Sequence, residues 1–299
     1  MKRMLLFLVT NIAVLIVLGI VANVLCLLVA NTSLEALLGP EYSMLAAYAF
    51  AYGVVGAFIS LLLSKTIAKF ACGAQTIDGT EGEAERWLVQ TVEDLARTAN
   101  IKTPEVAIYQ GAANAFATGA FKNAALVAVS TDIMRQMTKE ELRAVLGHEV
   151  SHVANGDMVT LTLVQGVLNA FVIFFSRAIA YVVANANNGD NRRRGQSNGL
   201  YFIMVFVLQL VLGVLASLVV CAFSRKREFA ADAGSAKLLG TPMPMIGALR
   251  RLANLQPGVL PDSLRAMGIA EGRSKTSIWA THPSIESRIE ALQDLRITP

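Results

Sequence analysis

Residues of the right types and spacing for hydrolytic chemistry stand together in Gly147-His148-Glu149-Val150-Ser151-His152. On a helix, His148 and His152 lie four positions apart on one face, where two imidazoles can grip a single zinc ion with Glu149 beside it. A short His-Glu-x-x-His match recurs by chance, so the surrounding chain decides its meaning. A catalytic zinc site takes three protein ligands and keeps a fourth position for water, and two His with one Glu is an established set. Glu228 and Asp232, in Glu228-Phe229-Ala230-Ala231-Asp232, are again four apart. Alone, such a pair reads as a solvated helix face. With a ligand still missing, Glu228 fits as the third, and Asp232, one turn on, fits as the acceptor that fixes the tautomer of a ligand imidazole.

The elements that must position these groups carry their own signals. Thr138, with Glu141 three residues on, forms a capping box that opens the motif's helix. Leu142, Val145, Leu146 and Val150 give that helix an apolar face, and Asn155-Gly156-Asp157 end it. Upstream, Trp87, Val89, Val92, Leu95 and Ala96 recur at helical steps and predict an amphipathic helix over 82–99, with core packing as their role. Pro104 opens the extended run EVAIYQ, followed by NAFATGAFKNAALVAVS, and together these predict a small antiparallel sheet. Within it, Asn114, Ala115, Phe116 and Ala117 read either as an ordinary hairpin edge or as an edge strand able to pair with an extended peptide.

Downstream, Met245 to Leu255 read as a helix, 257–277 as a Gly/Pro/Ser-rich loop, and Ser284 as the N-cap of a last helix. His282, just before that helix, is the only histidine outside the motif. It reads either as a structural residue or as a donor to a developing oxyanion. Arg288, one turn into the helix, can pair with Glu228, Asp232 or substrate.

Composition sets the compartment. Of 299 residues, 54% are hydrophobic and 16% charged, against roughly 25% charged in ordinary soluble domains. The apolar residues fall in four blocks. Met4–Ala30 is uncharged and longer than the roughly 20 residues needed to cross a bilayer, and longer than the about 7–15 of a signal peptide core. A second block runs from Tyr42 to Ser64, a third from Met158 to Ala184 with Arg177, Gln165 and Asn169 inside it, and a fourth from Leu200 to Phe223. Lys2-Arg3 and Lys65/Lys69 flank the first pair and keep their ends in the cytoplasm. If blocks three and four form a hairpin, Glu228 returns to the side on which His152 lies. Arg192-Arg193-Arg194 in the intervening loop run against the positive-inside tendency, so either the hairpin dips without crossing or Arg225–Arg227 outweigh them. The division is thus 1–69 a transmembrane hairpin, 70–157 a cytoplasmic domain with the motif, 158–223 a second hydrophobic hairpin, and 224–299 the rest of the cytoplasmic domain.

Three widely separated cysteines give no disulfide framework or Cys-type zinc site. A net charge of +4 without a basic, aromatic-interleaved stripe gives no sign of nucleic-acid binding.

HEVSH, followed after two apolar segments by SRKREFAADA, with NAFATG upstream and THPSIESRI downstream, resembles the HtpX family of bacterial membrane zinc endopeptidases, relatives of the CAAX prenyl proteases. The likeness spans essentially the whole chain. It implies that His148, His152 and Glu228 bind one zinc ion, that Glu149 is the catalytic carboxylate, and that Asp232 is the acidic partner in Glu-x-x-x-Asp. It also implies that Asn114 to Ala117 bind substrate backbone and that His282 serves the active site. The fold implied is an α-helical membrane protein with a cytoplasmic α+β zincin-like metalloprotease domain and two transmembrane hairpins. The expected setting is the cell inner membrane, multi-pass, with the active site facing the cytoplasm. The expected substrates are membrane-protein or unfolded polypeptides, cut in quality control under stress.

Competing readings are weaker. An intramembrane zinc protease carries its motif inside an apolar span, whereas Glu140, Glu141, Arg143 and Asp157 flank this one. VANGDMVT after His152 lacks the Gly and third His of a metzincin. A catalytically weak scaffold or holdase retaining the zinc fold is the alternative from another class, and intact Glu149 argues against it.

Overall fold

A computed structural model describes residues 42–186, 197–255, 269 and 279–296. The first apolar block, the Arg192–Arg194 loop and nearly all of 257–277 lie outside the described residues. The chain divides into two compact units, Met1–Phe58 with Leu163–Ser217, and Ile59–Thr162 with Leu218–Pro299.

In the first unit, α1 (Tyr42–Phe50) runs through a π-helical turn (Ala51–Val55) into α2 (Gly56–Cys72), which continues into the second unit. The π turn lies against α6 (Asp157–Ala186) at Gly53, where a Cβ would come 2.5 Å from the Ala170 backbone nitrogen. Such close approach between helices depends on small residues, as in membrane bundles. The polar residues inside α6 find partners on their own helix or on α1: Gln165 Nε2 donates to Asn169 Oδ1 at 3.1 Å, and the Arg177 guanidinium lies 5.3 Å from the Tyr48 ring centre.

Three helical stretches among the described residues are long and apolar enough to cross a membrane: Met44–Cys72, Asp157–Val183 and Gly199–Leu239. The third lies within α7 (Ser197–Leu239), which passes through Arg225-Lys226-Arg227 without a break. The charges end the apolar run but not the helix, because Lys and Arg are good helix formers.

The second unit is α+β. Its sheet has the order β1-β2-β4-β3, from β1 (Gln75–Ile77), β2 (Glu105–Tyr109), β3 (Ala115–Thr118) and β4 (Leu126–Ser130). β1–β2 and β3–β4 are antiparallel, but β2–β4 is parallel. The expected antiparallel sheet is therefore mixed. β4 is buried along its whole length, and the chain leaves β2, lays β3 at the edge and returns between them, burying its most apolar strand centrally. Gly119 makes this return possible, with φ +137° and a Cβ position 2.6 Å from the Ala124 carbonyl oxygen.

Helix α3 (Glu83–Thr98) buries Val92, Leu95 and Ala96 as the spacing predicts, but buries Leu88 where the spacing pointed to Trp87 and Val89, which are half-buried; it packs with α5 (Lys139–Asn155). The short α4 (Thr131–Gln136) links β4 to α5, and α8 (Met243–Asn254) packs on α5 and on α9 (Ile285–Gln293). One core cluster joins α3, α5, α8 and the sheet through Leu88, Val127, Leu146, Met245 and Leu249, all fully buried. The helix that bears the motif is thus held on several sides, and its inner face is fixed by packing rather than by loops.

Candidate active site

Helix α5 begins where the capping box predicts. Thr138 Oγ1 accepts from the Glu141 amide at 3.2 Å, and a Glu141 carboxylate oxygen accepts from the Thr138 amide at 2.9 Å. It ends at Gly156, left-handed at φ 71°, and α6 starts at once at Asp157. α7 crosses α5 with almost no side-chain volume between them. A Cβ on Gly147 would sit 2.9 Å from Ser235 Oγ, and one on Gly234 would sit 2.5 Å from Ser151 Oγ. Ser235 Oγ donates to the Ala144 carbonyl and Ser151 Oγ to the Gly147 carbonyl, each at 2.7 Å.

That crossing brings Glu228 and Asp232 of α7 onto His148 and His152 of α5. One donor atom from each of His148, His152 and Glu228 lies within 4.8 Å of the others. The two Nε2 atoms are 3.0 Å apart, and Glu228 Oε2 and Oε1 lie 3.5 and 3.3 Å from those of His148 and His152. A tetrahedral zinc with Zn–N and Zn–O bonds of about 2.0–2.1 Å holds its ligand atoms roughly 3.3 Å apart, a spacing close to that of this donor set.

The far nitrogens are also engaged. His148 Nδ1 lies 2.9 Å from Asp232 Oδ1, and His152 Nδ1 donates to Asp157 Oδ2 at 2.6 Å. A carboxylate only accepts, so once a metal takes Nε2 the remaining proton of each ring faces its carboxylate from Nδ1. Burial disfavours charge on both imidazoles, but Asp232 and Glu228 at His148, and Asp157 and Glu228 at His152, outweigh it. Both pKa values rise in the metal-free fold, that of His152 to about 10.

Glu149 is 1% exposed, and neither carboxylate oxygen has a hydrogen-bond partner among the described residues. Burial pushes its pKa up, against the pull of His148 and His152. A buried carboxylate left without donors is costly, and its position beside the ligand cluster is where a water molecule to be activated belongs.

His282 joins the cluster, with Nδ1 2.8 Å from Glu228 Oε2, and Nε2 buried without a partner among the described residues. Arg288 is 2% exposed and grips Asp232 through two contacts of 2.7 Å, Nε to Oδ2 and Nη2 to Oδ1, with Nη1 3.5 Å from Glu228. Its planar fork matches a carboxylate, and of the partners the sequence offered it, Asp232 and Glu228 are the ones it meets.

Asn114, Ala115, Phe116 and Ala117 do lie at the sheet's edge, but the strand is not open as expected. All four residues are buried, and the Ala115 carbonyl accepts from the Ile269 amide at 2.9 Å. Small side chains let the neighbouring chain close over the strand. Asp157, Arg227 and Ile269 are the participants that sequence reasoning missed. Asp157 was read as a helix stop and as a charge flanking the motif, although an acid at the start of the next helix, soon after His152, was the available signal. Ile269 carried none.

The model of peptidase family M48 matches residues 83–296. The chain belongs to this family. Among its relatives, the Protease HtpX homolog of Paracidovorax citrulli (strain AAC00-1) is 54% identical over 299 residues, covering 98% of this chain and 99% of that one. The Protease HtpX homolog of Bordetella avium (strain 197N) is 50% identical over 300 residues, covering all of both chains. The crystal structure of S. mikatae Ste24p shares the fold, with a TM-score of 0.60 at 16% identity over 94% of this chain and 67% of that one. The M48 chain is therefore an HtpX-type metalloendopeptidase with membrane-spanning candidates, and the expected resemblance holds. The His-His-Glu cluster lies inside the region that the family model covers, which fits a metal site, zinc being the usual occupant of such a set.

Proposed function

We propose that this M48 peptidase is a zinc endopeptidase that cuts membrane-protein or unfolded polypeptide segments at the cytoplasmic face of the inner membrane, in quality control under stress. The observation that carries the catalytic part is the unpartnered, buried Glu149 carboxylate beside three converging ligand atoms. His148, His152 and Glu228 would hold one zinc ion, which would lower the pKa of a bound water to about 7 and polarise the scissile carbonyl.

The chain's own residues do the rest. Glu149 accepts the proton of the attacking water and passes it to the leaving amine. Its raised pKa suits that second transfer. Asp232 and Asp157 hold the imidazoles with Nε2 inward. The unpartnered Nε2 of His282 is the donor for the developing oxyanion. β3 receives the substrate backbone, and the amide of Ile269 on the Ala115 carbonyl supports this, because it occupies the hydrogen-bonding position of an extended peptide. Substrate binding therefore displaces that contact.

The membrane-associated choice of substrate rests on chain continuity. Asp157 follows the motif helix directly and opens a stretch, Asp157–Val183, long and apolar enough to cross a bilayer. The test uses full-length protein in detergent with zinc and unfolded casein. Wild type cleaves, and Glu149→Gln loses at least about a hundredfold in rate, the scale of a general acid–base contribution. Equal cleavage by the two would remove Glu149 from catalysis.

A further inference from the structure

Each of the two imidazoles on α5 that converge on Glu228, His148 and His152, is backed by a carboxylate, and each carboxylate by an arginine. On one side Arg288 grips Asp232, which lies against His148 Nδ1. On the other, His152 Nδ1 donates to Asp157 Oδ2, and Arg227 Nε lies 3.5 Å from that same oxygen. The second arrangement is buried throughout, with Asp157 and Arg227 each 7% exposed. Arg227 Nε and Nη1 have no hydrogen-bond partner among the described residues. A guanidinium buried to this degree needs a matching charge, and Asp157 supplies it.

We infer that Asp157, held by Arg227, is a positioning residue for the metal site, fixing the His152 ring with Nε2 toward the other ligand atoms. The need for it is local. Without a partner at Nδ1 the ring would be held at one end only, where Glu228 Oε1 lies 3.3 Å from Nε2. Asp157, at 2.6 Å from Nδ1, holds the other end. Arg227 Nε, 3.5 Å from the same carboxylate oxygen, keeps that carboxylate in place.

Chain order adds a consequence. Arg227 immediately precedes Glu228, so one turn of α7 supplies both the third ligand and the cation that steadies the partner of the second. Seating α7 on α5 therefore places Glu228 and orients His152 in one step. Asp157 also occupies the first turn of α6, where a carboxylate interacts favourably with the helix dipole.

The inference rests on the zinc reading of the site, and the experiment separates the two. Zinc dissociation constants are measured on full-length protein in detergent by competition with a chromophoric chelator, alongside thermal unfolding of the metal-free forms. His152→Ala is the control for the site, and wild-type affinity in that variant would overturn the zinc reading itself. Asp157→Asn keeps the shape but lowers the acceptor strength, and zinc binding is expected to weaken about 10–100-fold, by more than the fall in metal-free stability that follows from leaving Arg227 without its matching charge. Arg227→Met is expected to weaken zinc about tenfold, and Arg227→Lys to recover part of that loss. If His152→Ala loses zinc while Asp157→Asn holds it within about twofold of wild type, the positioning role is wrong. A loss accompanied by an equal fall in metal-free stability, without recovery by Arg227→Lys, likewise reduces Asp157 to a structural residue. Should Asp157→Asn not fold, Asp157→Glu keeps the charge but moves it by one methylene. Severalfold weaker zinc supports the inference there, and unchanged affinity overturns it.

Discussion

At the scale of single residues, the site is a set of buried charges in which protons on the imidazoles stand where a metal cation would. His152, pushed up to about pKa 10 by Asp157 and Glu228 despite its burial, carries two ring protons near neutral pH in the metal-free fold. A metal at Nε2 has to displace one of them. The sign follows: apparent zinc affinity rises with pH up to about 10 and falls as the solution is acidified. Zinc binding near neutral pH releases at least one proton, which calorimetry in two buffers of different ionisation enthalpy measures. Identical heats in the two buffers would contradict it. Glu228→Ala removes the ligand that α7 contributes, and most bound zinc is expected to be lost by elemental analysis; one zinc per chain in that variant would strike Glu228 from the ligand set. His148, Glu149, His152, Glu228 and Asp232 were legible as candidates because each pair of polar partners recurs at a helical interval. Asp157 and Arg227 were not, because their pairing joins two helices and no spacing along one chain segment encodes it.

At the scale of elements, the two ligand helices meet because glycine stands at each point of contact. Gly234 is the tighter case: a Cβ there would come 2.5 Å from Ser151 Oγ and 2.7 Å from Ser151 Cβ. The Cβ cannot rotate away, so Gly234→Ala forces α7 off α5 by several tenths of an ångström. Overpacking of this kind costs about 1–3 kcal/mol, and because Glu228 and Asp232 ride on the displaced helix, zinc affinity is expected to fall as well. Ser151→Gly in the same chain removes the obstructing side chain and should restore zinc binding, as measured by chelator competition. Failure of the double variant to recover would mean that the crossing distance does not set the site. The capped start of α5, the helix over Glu83–Thr98 and the last helix after Ser284 were all readable, since caps and periodicity are local. The parallel pairing of β2 with β4 was not, because the order of strands depends on which one the core buries most deeply. The covering of β3 by Ile269 was equally hidden, lying in a stretch whose composition reads as a loop.

At the scale of the whole molecule, the open question is how α6 and α7 return the chain to the zinc helix. Along α7, Phe202, Phe206 and Leu210 are more than half exposed, and only 6% of the most apolar window of Gly199–Leu239 is buried, against 28% for Asp157–Val183. Side chains of that size without protein neighbours call for lipid. Asp157–Val183 has 27 residues, about 40 Å of helix at about 1.5 Å per residue, against a hydrocarbon core of about 30 Å. A shallow dip does not need that length. The arginines at 192–194 oppose a full crossing, while Arg227, one of the three basic residues on the other side, is held by Asp157. On the proposed reading, in which the zinc helix faces the cytoplasm, two complete crossings would put position 193 outside. A chain with Cys26, Cys72 and Cys221 replaced by Ser and a single Arg193→Cys is expected to react with a membrane-impermeant maleimide in intact cells. Reaction only after lysis would replace the crossing with a re-entrant hairpin, and would still leave Glu228 on the same side as His152.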